Sequence, residues 1–362
     1  MKIALLGDIA LIGKYDLSVN RNAYDNIKFV KEAVDDCDFV IGNLESPLTT
    51  EVHTKTCKGA YLRSNPINAG CLKYMGVTHV TLANNHIFDY GEKGKSDTVE
   101  ALRKVGIQYV GLNNEPVLLA AGNDKALLDG FCCYSANGVR YGKKEGQLKL
   151  LEYQGLKSFL SQAAEQQALP IASVHFGIEH IHYPSREHLE LFRYFAKNYE
   201  YVLHGNHPHA IQGIEAVNNA KLFYALGNLC FDTITETSIG KHVEQTQEGR
   251  KSYIAKLTIE GKHCIKTEII PVSDWATDIL HEELSILPQL EKYSKDLKNG
   301  YSQIYKLRED ELLKNSGAAE KHDMKFFMNR LNRKYIKAYL NGKKNKKAYD
   351  QLVNNFKAEA GL

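Results

Sequence analysis

Residues 77–91 read VTHVTLANNHIFDYG. Val77, Val80, Thr81 and Leu82 make 77–82 a short buried strand by composition. The run stops at Asn84-Asn85-His86, and from Glu92 to Val105 the apolar spacing becomes helical, with Gly106 placed to end the helix. A strand that ends in a polar cluster and gives way to a helix is the repeating unit of a parallel sheet.

Outward from this stretch the unit recurs. Lys2–Leu6 is a strand that ends at Gly7-Asp8, followed by helical spacing over Tyr24–Asp36 (Ile27, Val30, Val34). Phe39–Ile41 is a strand that ends at Gly42-Asn43-Leu44-Glu45, and Pro66–Met75 a short helix with proline in its first turn. Gln108–Val110 is a fourth strand. Residues 113–150 are irregular, with hairpin-like Ala126–Tyr134. Then follow a helix (Leu151–Gln167), a strand (Pro170–Val174) ending at His175-Phe176-Gly177, a helix (Ser185–Asn198), and a strand (Tyr201–Leu203) leading to Gly205-Asn206-His207-Pro208-His209. From Ala210 to Val272 strands alternate with turns (Ala210–Ala216, Lys221–Leu226, Ser252–Ile259, Ile265–Pro271), which predicts antiparallel or mixed sheet. Beyond Ser273 the pattern is helical with lysine-rich faces. The expected organisation is one α/β domain over 1–272 and a basic helical extension over 273–362.

Composition excludes several classes. The chain has 362 residues, 43% hydrophobic and 25% charged, which is ordinary for a globular protein. It contains no apolar run long enough for a membrane span. Its seven cysteines are scattered with no C-x-x-C, which argues against a disulfide scaffold or a thiolate zinc site and for a reducing compartment. IALLGDIALIG at 3–13 carries Asp8 where a secretory signal has no charge, so it reads as a strand and the expected location is cytoplasmic. The net charge of +3 hides an asymmetry: residues 301–362 hold 14 Lys/Arg against 7 Asp/Glu, leaving about −4 on the rest.

The chemistry lies in where the polar residues fall. Asp8, Glu45, Asn84-Asn85-His86, His175, and His207 with His209 each follow the carboxyl end of a strand, the edge at which open α/β sheets bind ligands. Alone, each admits a plainer role: Asp8 and Asn84-Asn85 as turn residues, His86 as a polar group near the surface. Together they supply carboxylates, amide oxygens and imidazoles, ligands for Mn, Zn or Fe. Two carboxylates with several histidines suffice for two ions. A bridging carboxylate can hold such ions about 3.5–4 Å apart, a spacing that suits a phosphoryl group.

The order G-D, N-L-E, A-N-N-H-x-x-D-Y-G, H-F-G-x-E, G-x-H-P-H and Y-x-L-G-N over residues 1 to about 232 resembles the CapA-type capsule-biosynthesis, or poly-γ-glutamate synthesis, family, which is similar to calcineurin-like metallophosphoesterases. The resemblance implies a four-layer α/β/β/α sandwich. It also implies roles: Asp8 on a first metal, Glu45 bridging, Asn85, His175 and His207 on a second, and His209 returning to the first. His86 becomes the residue that protonates a leaving oxygen. Arg63, before Ser64-Asn65-Pro66, is an anion clamp or a surface ion pair. Asn84, Asp89, Glu179 and Asn228 are orienting residues around the ligands. The sequence departs from the broader phosphoesterase class at Asp8-Ile9-Ala10, which lacks the histidine of Asp-x-His, and at Glu45, which stands where that class has aspartate.

The resulting expectation is a divalent-metal hydrolase, a phosphoesterase, that acts on a phosphorylated or anionic small molecule or polymer precursor in capsule, polysaccharide or polyglutamate assembly. Amide chemistry on a γ-glutamyl polymer and a non-catalytic accessory subunit are the alternatives. Nucleic acid is disfavoured by the acidic main domain. Residues 321–347 hold ten Lys/Arg and one Asp, with Phe326, Phe327, Leu331, Tyr335, Ile336 and Leu340 among them. Such a segment either packs its apolar face on the main domain or meets a biosynthetic partner, a polyanion or the inner face of the membrane.

Overall fold

A computed structural model describes residues 1–54, 58–134, 136, 148–237, 242–316 and 333–361. Strand β1 (Lys2–Ile9) has every residue from Ile3 to Ile9 buried. Its side chains alternate between two cores: Ile3 and Leu5 enter one apolar cluster, Ala4 and Leu6 another. A strand buried on both faces must lie between layers.

Helices α1 (Ala23–Ala33), α2 (Ala69–Tyr74) and α3 (Gly91–Val105) connect β1 to β2 (Phe39–Leu44), β3 (His79–Thr81) and β4 (Gln108–Val110), which all pair in parallel. Ile27, Val30, Leu72 and Leu102 bring these helices onto the outer face of the sheet. Strand β5 (Val117–Ala121) forms a hairpin with β6 (Asp124–Cys132). Strand β6 then runs parallel to β7 (Leu169–His175), β7 to β8 (Val202–Asn206), and β8 to β10 (Ala220–Phe223), with β9 (Ile214–Val217) antiparallel at the edge. Helices α4 (Tyr153–Glu165) and α5 (Arg186–Asn198) cover this second sheet through Leu156, Phe159, Leu160, Leu189, Phe192 and Phe195. Strand β11 (Asn228–Cys230) returns to pair in parallel with β1. Strands β12 (Lys251–Glu260), β13 (His263–Ser273) and β14 (His281–Glu282) extend the first sheet antiparallel on the other side of β1.

The described strands therefore form sheets ordered β14-β13-β12-β1-β2-β3-β4, with β11 beside β1, and β5-β6-β7-β8-β10-β9. The sheets meet face to face where β1 touches β8 and β6 touches β12 and β4. With helices outside both, the architecture is the four-layer α/β/β/α sandwich. Two features tie the inner faces. His204 Nε2 lies 2.7 Å from Leu6 O, joining β8 to β1. At Gly130 of β6 a Cβ would stand 2.4 Å from Thr81 Oγ1, so only glycine permits this approach of the sheets.

The sequence reading differs from the structure at the hairpin, at β11, at β14, which pairs with β13 where the pattern beyond Ser273 reads as helical, and in the extension. The hairpin is β5–β6, turning at Gly122-Asn123, because Val117–Ala121 is a strand that the pattern left irregular; residues 137–147 lie outside the described residues. Strand β11 is missed because three residues carry no period. In the extension, Phe326, Phe327 and Leu331 lie outside the described residues, as does the side chain of Tyr335, while Ile336 and Leu340 are exposed. The helix α8 (Arg333–Ala360) instead docks on α4 and α5 through Leu352 and Phe356, which join the main core. Between it and the sheets' end come α6 (Ile286–Asp296), packed on β9 and β13, and α7 (Tyr301–Ser316). Among the described residues no helix is long and apolar enough to cross a membrane.

Candidate metal centre

Parallel strands of both sheets end on one rim, and the loops there carry the polar cluster. Asp8 sits at an irregularity in the pairing of β1 with β2 and β11, and its N–H donates to Gly227 O at 2.9 Å. Its Oδ1 accepts from Asn43 Nδ2 at 2.7 Å, and its Oδ2 accepts from the backbone N–H of His207 at 3.1 Å. Glu45 follows β2 directly, anchored by its N–H to Ile9 O at 2.8 Å. His175 is the last residue of β7, and Asn206 the last of β8. His207 and His209 then adopt left-handed backbone, with φ of 99° and 51°. Such conformations cost non-glycine residues energy and gather at functional sites.

Three sets of potential ligand atoms lie within 4.8 Å of one another: Asp8, Glu45 and His209; Glu45, His175 and His207; and Glu179, His207 and His209. Glu45 is shared by the first two, and its Oε1 is 3.6 Å from His209 Nε2 and 3.8 Å from His175 Nε2. Asn85 Oδ1 lies 3.0 Å from His175 Nε2. Glu179, expected as an orienting residue, places its carboxylate inside the cluster. Asn84 holds the loop: its Nδ2 donates to Leu44 O, and its Oδ1 accepts from the N–H groups of His86 and Ile87. Asn228 Oδ1 is 2.8 Å from His209 Nδ1, and Asp89 Oδ2 is 2.6 Å from His86 Nδ1.

Arg63 stands apart from this cluster. Its guanidinium forks onto Glu236, with Nε 2.9 Å from Oε1, and donates to Glu51 O. Tyr90 OH holds the other Glu236 oxygen. The pair borders a cavity of about 480 Å³ where Asp16, Thr49, Tyr61 and Asn65 share the lining with Ile12, Val19 and Ile234.

Electrostatics follow from burial. Burial pushes the Glu45 carboxyl well up, opposed by His209 and reinforced by Asp8. Burial also raises Asp8, against His209 and Asn43. His175 is driven well down by burial and by His207 and His209, and His207 falls to about 3, chiefly by burial. Burial opposes a charge on His209 too, but Glu45 and Asp8 outweigh it and lift the ring to about 9. His86 is lowered by burial and by Lys58, against the pull of Asp89.

The donor set fits divalent cations. Both Glu45 oxygens and both His207 ring nitrogens are buried without a hydrogen-bond partner among the described residues. A carboxylate and an imidazole so placed are costly unless something compensates them. Cations ligated by carboxylate, amide oxygen and imidazole do so.

Two groups escaped the sequence reading. Asn43, inside the quoted G-N-L-E, bonds Asp8 and lies 3.4 Å from His175. Lys58 reaches from a remote loop to Asp89 Oδ1 at 3.0 Å, and no spacing marks a lysine for such a place. Conversely, seven histidines crowd residues 175–209, but only His175, His207 and His209 join the described cluster. His204 ties the sheets, and His188 packs on Phe176 and Phe192.

The architecture is thus a two-sheet sandwich with a carboxylate and imidazole cluster at its carboxyl rim. Residues 2–233 match the family described as "Bacterial capsule synthesis protein PGA_cap", and the chain belongs to that family. It is 27% identical over 247 residues to the capsule biosynthesis protein CapA of Bacillus anthracis, covering 64% of this chain and 60% of that protein. To the PGA biosynthesis protein CapA of Bacillus subtilis it is 26% identical over 265 residues, covering 69% and 70%. Among solved structures, a calcineurin-like phosphoesterase of Bacillus subtilis aligns over 85% of this chain and 98% of its own, with 13% identity and a TM-score of 0.44.

Proposed function

We propose that this chain is a divalent-metal-dependent phosphoesterase acting on a phosphorylated or anionic precursor during assembly of a bacterial surface polymer. The observation that carries this is that the Glu45 carboxylate and the His207 ring, at the shared point of the ligand sets, are buried without a hydrogen-bond partner among the described residues. Asp8, Glu45 and His209 would hold one ion. Glu45, His175 and His207, with the Asn85 oxygen, would hold a second. When bound, such ions draw charge from a phosphoryl oxygen and make water a nucleophile near neutral pH.

The chain's own residues do the rest. Asp89 accepts from His86 Nδ1, so Nε2 is the nitrogen that gives a proton to, or takes one from, the leaving oxygen. An anionic group beside His86 favours its protonated form and so offsets the lowering by burial and Lys58. The exposed lysines Lys343, Lys344, Lys346 and Lys347 of α8 offer an anionic partner, or the inner membrane face, a place to settle, in a cytoplasmic setting.

Elemental analysis after Mn or Zn loading and desalting should find about two ions per chain, falling in His207→Ala. An aryl phosphoester panel should show metal-dependent turnover that His86→Ala lowers by roughly 100-fold or more. Metal-free protein, or equal turnover in His207→Ala, would overturn the assignment.

A second reading is a metal-stabilised accessory subunit. It is favoured by Mycobacterium tuberculosis relatives named "Probable polyglutamine synthesis accessory protein", 32% identical over 108 residues. Full metal content with no turnover of phosphoesters or γ-glutamyl amides would select it. Turnover of γ-glutamyl amides alone would instead place the same centre in amide chemistry.

A further inference from the structure

Lys58 lies outside every role assigned above, yet its side chain is only 8% exposed. Its ammonium is 3.0 Å from Asp89 Oδ1, 3.4 Å from His86 Nδ1, and donates to the backbone carbonyl of Asn85. A buried ammonium costs several kcal/mol unless paired, so these contacts define where it must sit. Its acceptors belong to one turn, residues 85–89, which carries a candidate ligand and a candidate proton carrier. Asp89 is divided between two groups: Oδ1 faces the Lys58 ammonium, and Oδ2 faces His86 Nδ1 at 2.6 Å. The backbone N–H of Leu62, from the same strap as Lys58, also donates to Asp89 Oδ2 at 3.1 Å.

We propose that Lys58 is a positioning residue of the reaction centre, tying the Asn85 carbonyl to the Asp89 carboxylate. This rests on the phosphoesterase reading. The tie has two consequences. It fixes the Asn85 backbone, so that Asn85 Oδ1 stays beside His175 Nε2, 3.0 Å away, on the side of the second ion. It also keeps Asp89 aligned on His86 Nδ1, which leaves Nε2 for proton transfer. Asn84 braces the same turn through its own oxygen, but it bonds the N–H groups of His86 and Ile87, not the Asn85 carbonyl. Lys58 is thus placed to set the ligand and the proton carrier together, without touching the reacting atoms.

The test is Lys58→Met, Lys58→Ala and Lys58→Arg in the full chain, with circular dichroism to confirm folding. Calorimetric titration with Mn alone should show the second ion bound at least ~10-fold more weakly in Lys58→Met, with the first little changed. On an aryl phosphoester, kcat should fall roughly 30-fold or more while KM stays near the wild-type value, because geometry for the chemical step is lost and not substrate affinity. Ethylammonium should restore kcat of Lys58→Ala saturably, since a small cation can fill the same place. A brace that served stability alone would give no amine rescue and no kcat-specific loss. Unchanged Mn binding and kcat in folded Lys58→Met would overturn the proposal. If the wild type binds Mn but hydrolyses no phosphoester, the phosphoesterase reading fails, and the Mn titration still judges Lys58.

Discussion

Asn228 Oδ1 accepts from His209 Nδ1 at 2.8 Å, which joins the start of β11 to a ring of the candidate metal centre. The bond fixes the ring so that Nε2 is the nitrogen that faces Glu45 Oε1, 3.6 Å away. Asn228 is itself held, its Nδ2 donating to Gly249 O at 2.8 Å. Removing the amide frees the ring without touching a ligand. Asn228→Ala should therefore weaken metal binding by roughly 10- to 100-fold, read by calorimetry, with little change in far-UV circular dichroism.

Glu45 gives a prediction with an unusual sign. Its carboxylate is buried without a hydrogen-bond partner among the described residues, and burial outweighs the pull of the His209 ring 3.6 Å away, so in metal-free protein it is a burden. Glu45→Gln should leave the metal-free Tm equal or higher while abolishing the rise in Tm on adding Mn or Zn. In the wild type that rise should reach about 2.7 kcal/mol of stabilisation at a hundred times Kd. A metal-induced shift retained in Glu45→Gln would refute the bridging role.

Acid should act through His188. The ring is buried against Phe176, Phe192 and Tyr349, and burial lowers its pKa from 6.5 to about 4. The folded value lies below the unfolded one, so between pH 6.5 and 4 the unfolded chain binds the extra proton. Its contribution is complete above pH 6.5 and is lost as pH falls toward 4, up to about 3 kcal/mol. His79 and His204 are buried likewise and add the same sign. Thermal melts from pH 7 to 5 should show Tm falling, and falling less in His188→Gln.

Phe356 tests how α8 is held. Its ring is buried within 5.5 Å of the Tyr194 ring and 6.5 Å of the Tyr153 ring. Phe356→Ala should cost about 3–5 kcal/mol of docking. Hydrogen exchange should then quicken through Arg333–Ala360 while Mn stoichiometry stays unchanged, since none of the ligand groups lies on this helix.

The alternation of strands and helices is legible in local pattern, while the two-sheet sandwich is implied by the family resemblance. Short apolar strands alternating with helices dictate parallel pairing, and the polar residues that break each run at its end mark the binding rim. Asp8, Glu45, Asn85, His175, His207 and His209 are readable because each interrupts a strand pattern, and local breaks need no knowledge of distant neighbours. The hairpin partner β5 and the three-residue β11 are not readable, because neither carries a period and their pairing energy comes from strands far away in sequence.

The sequence by itself determined the α/β alternation and the candidate residues at the strand ends. Both follow from the period of burial and from side-chain chemistry, which are properties of a few consecutive residues. Only the tertiary structure decided which histidines converge and which serve packing, that Arg63 is spent on Glu236, that Glu179 stands among the candidate ligands, and that Lys58 meets Asp89 and Asn43 meets Asp8. Those are contacts between residues tens to hundreds of positions apart. They arise when two sheets close on each other, and no local spacing encodes the few ångströms that separate a ligand from a bystander.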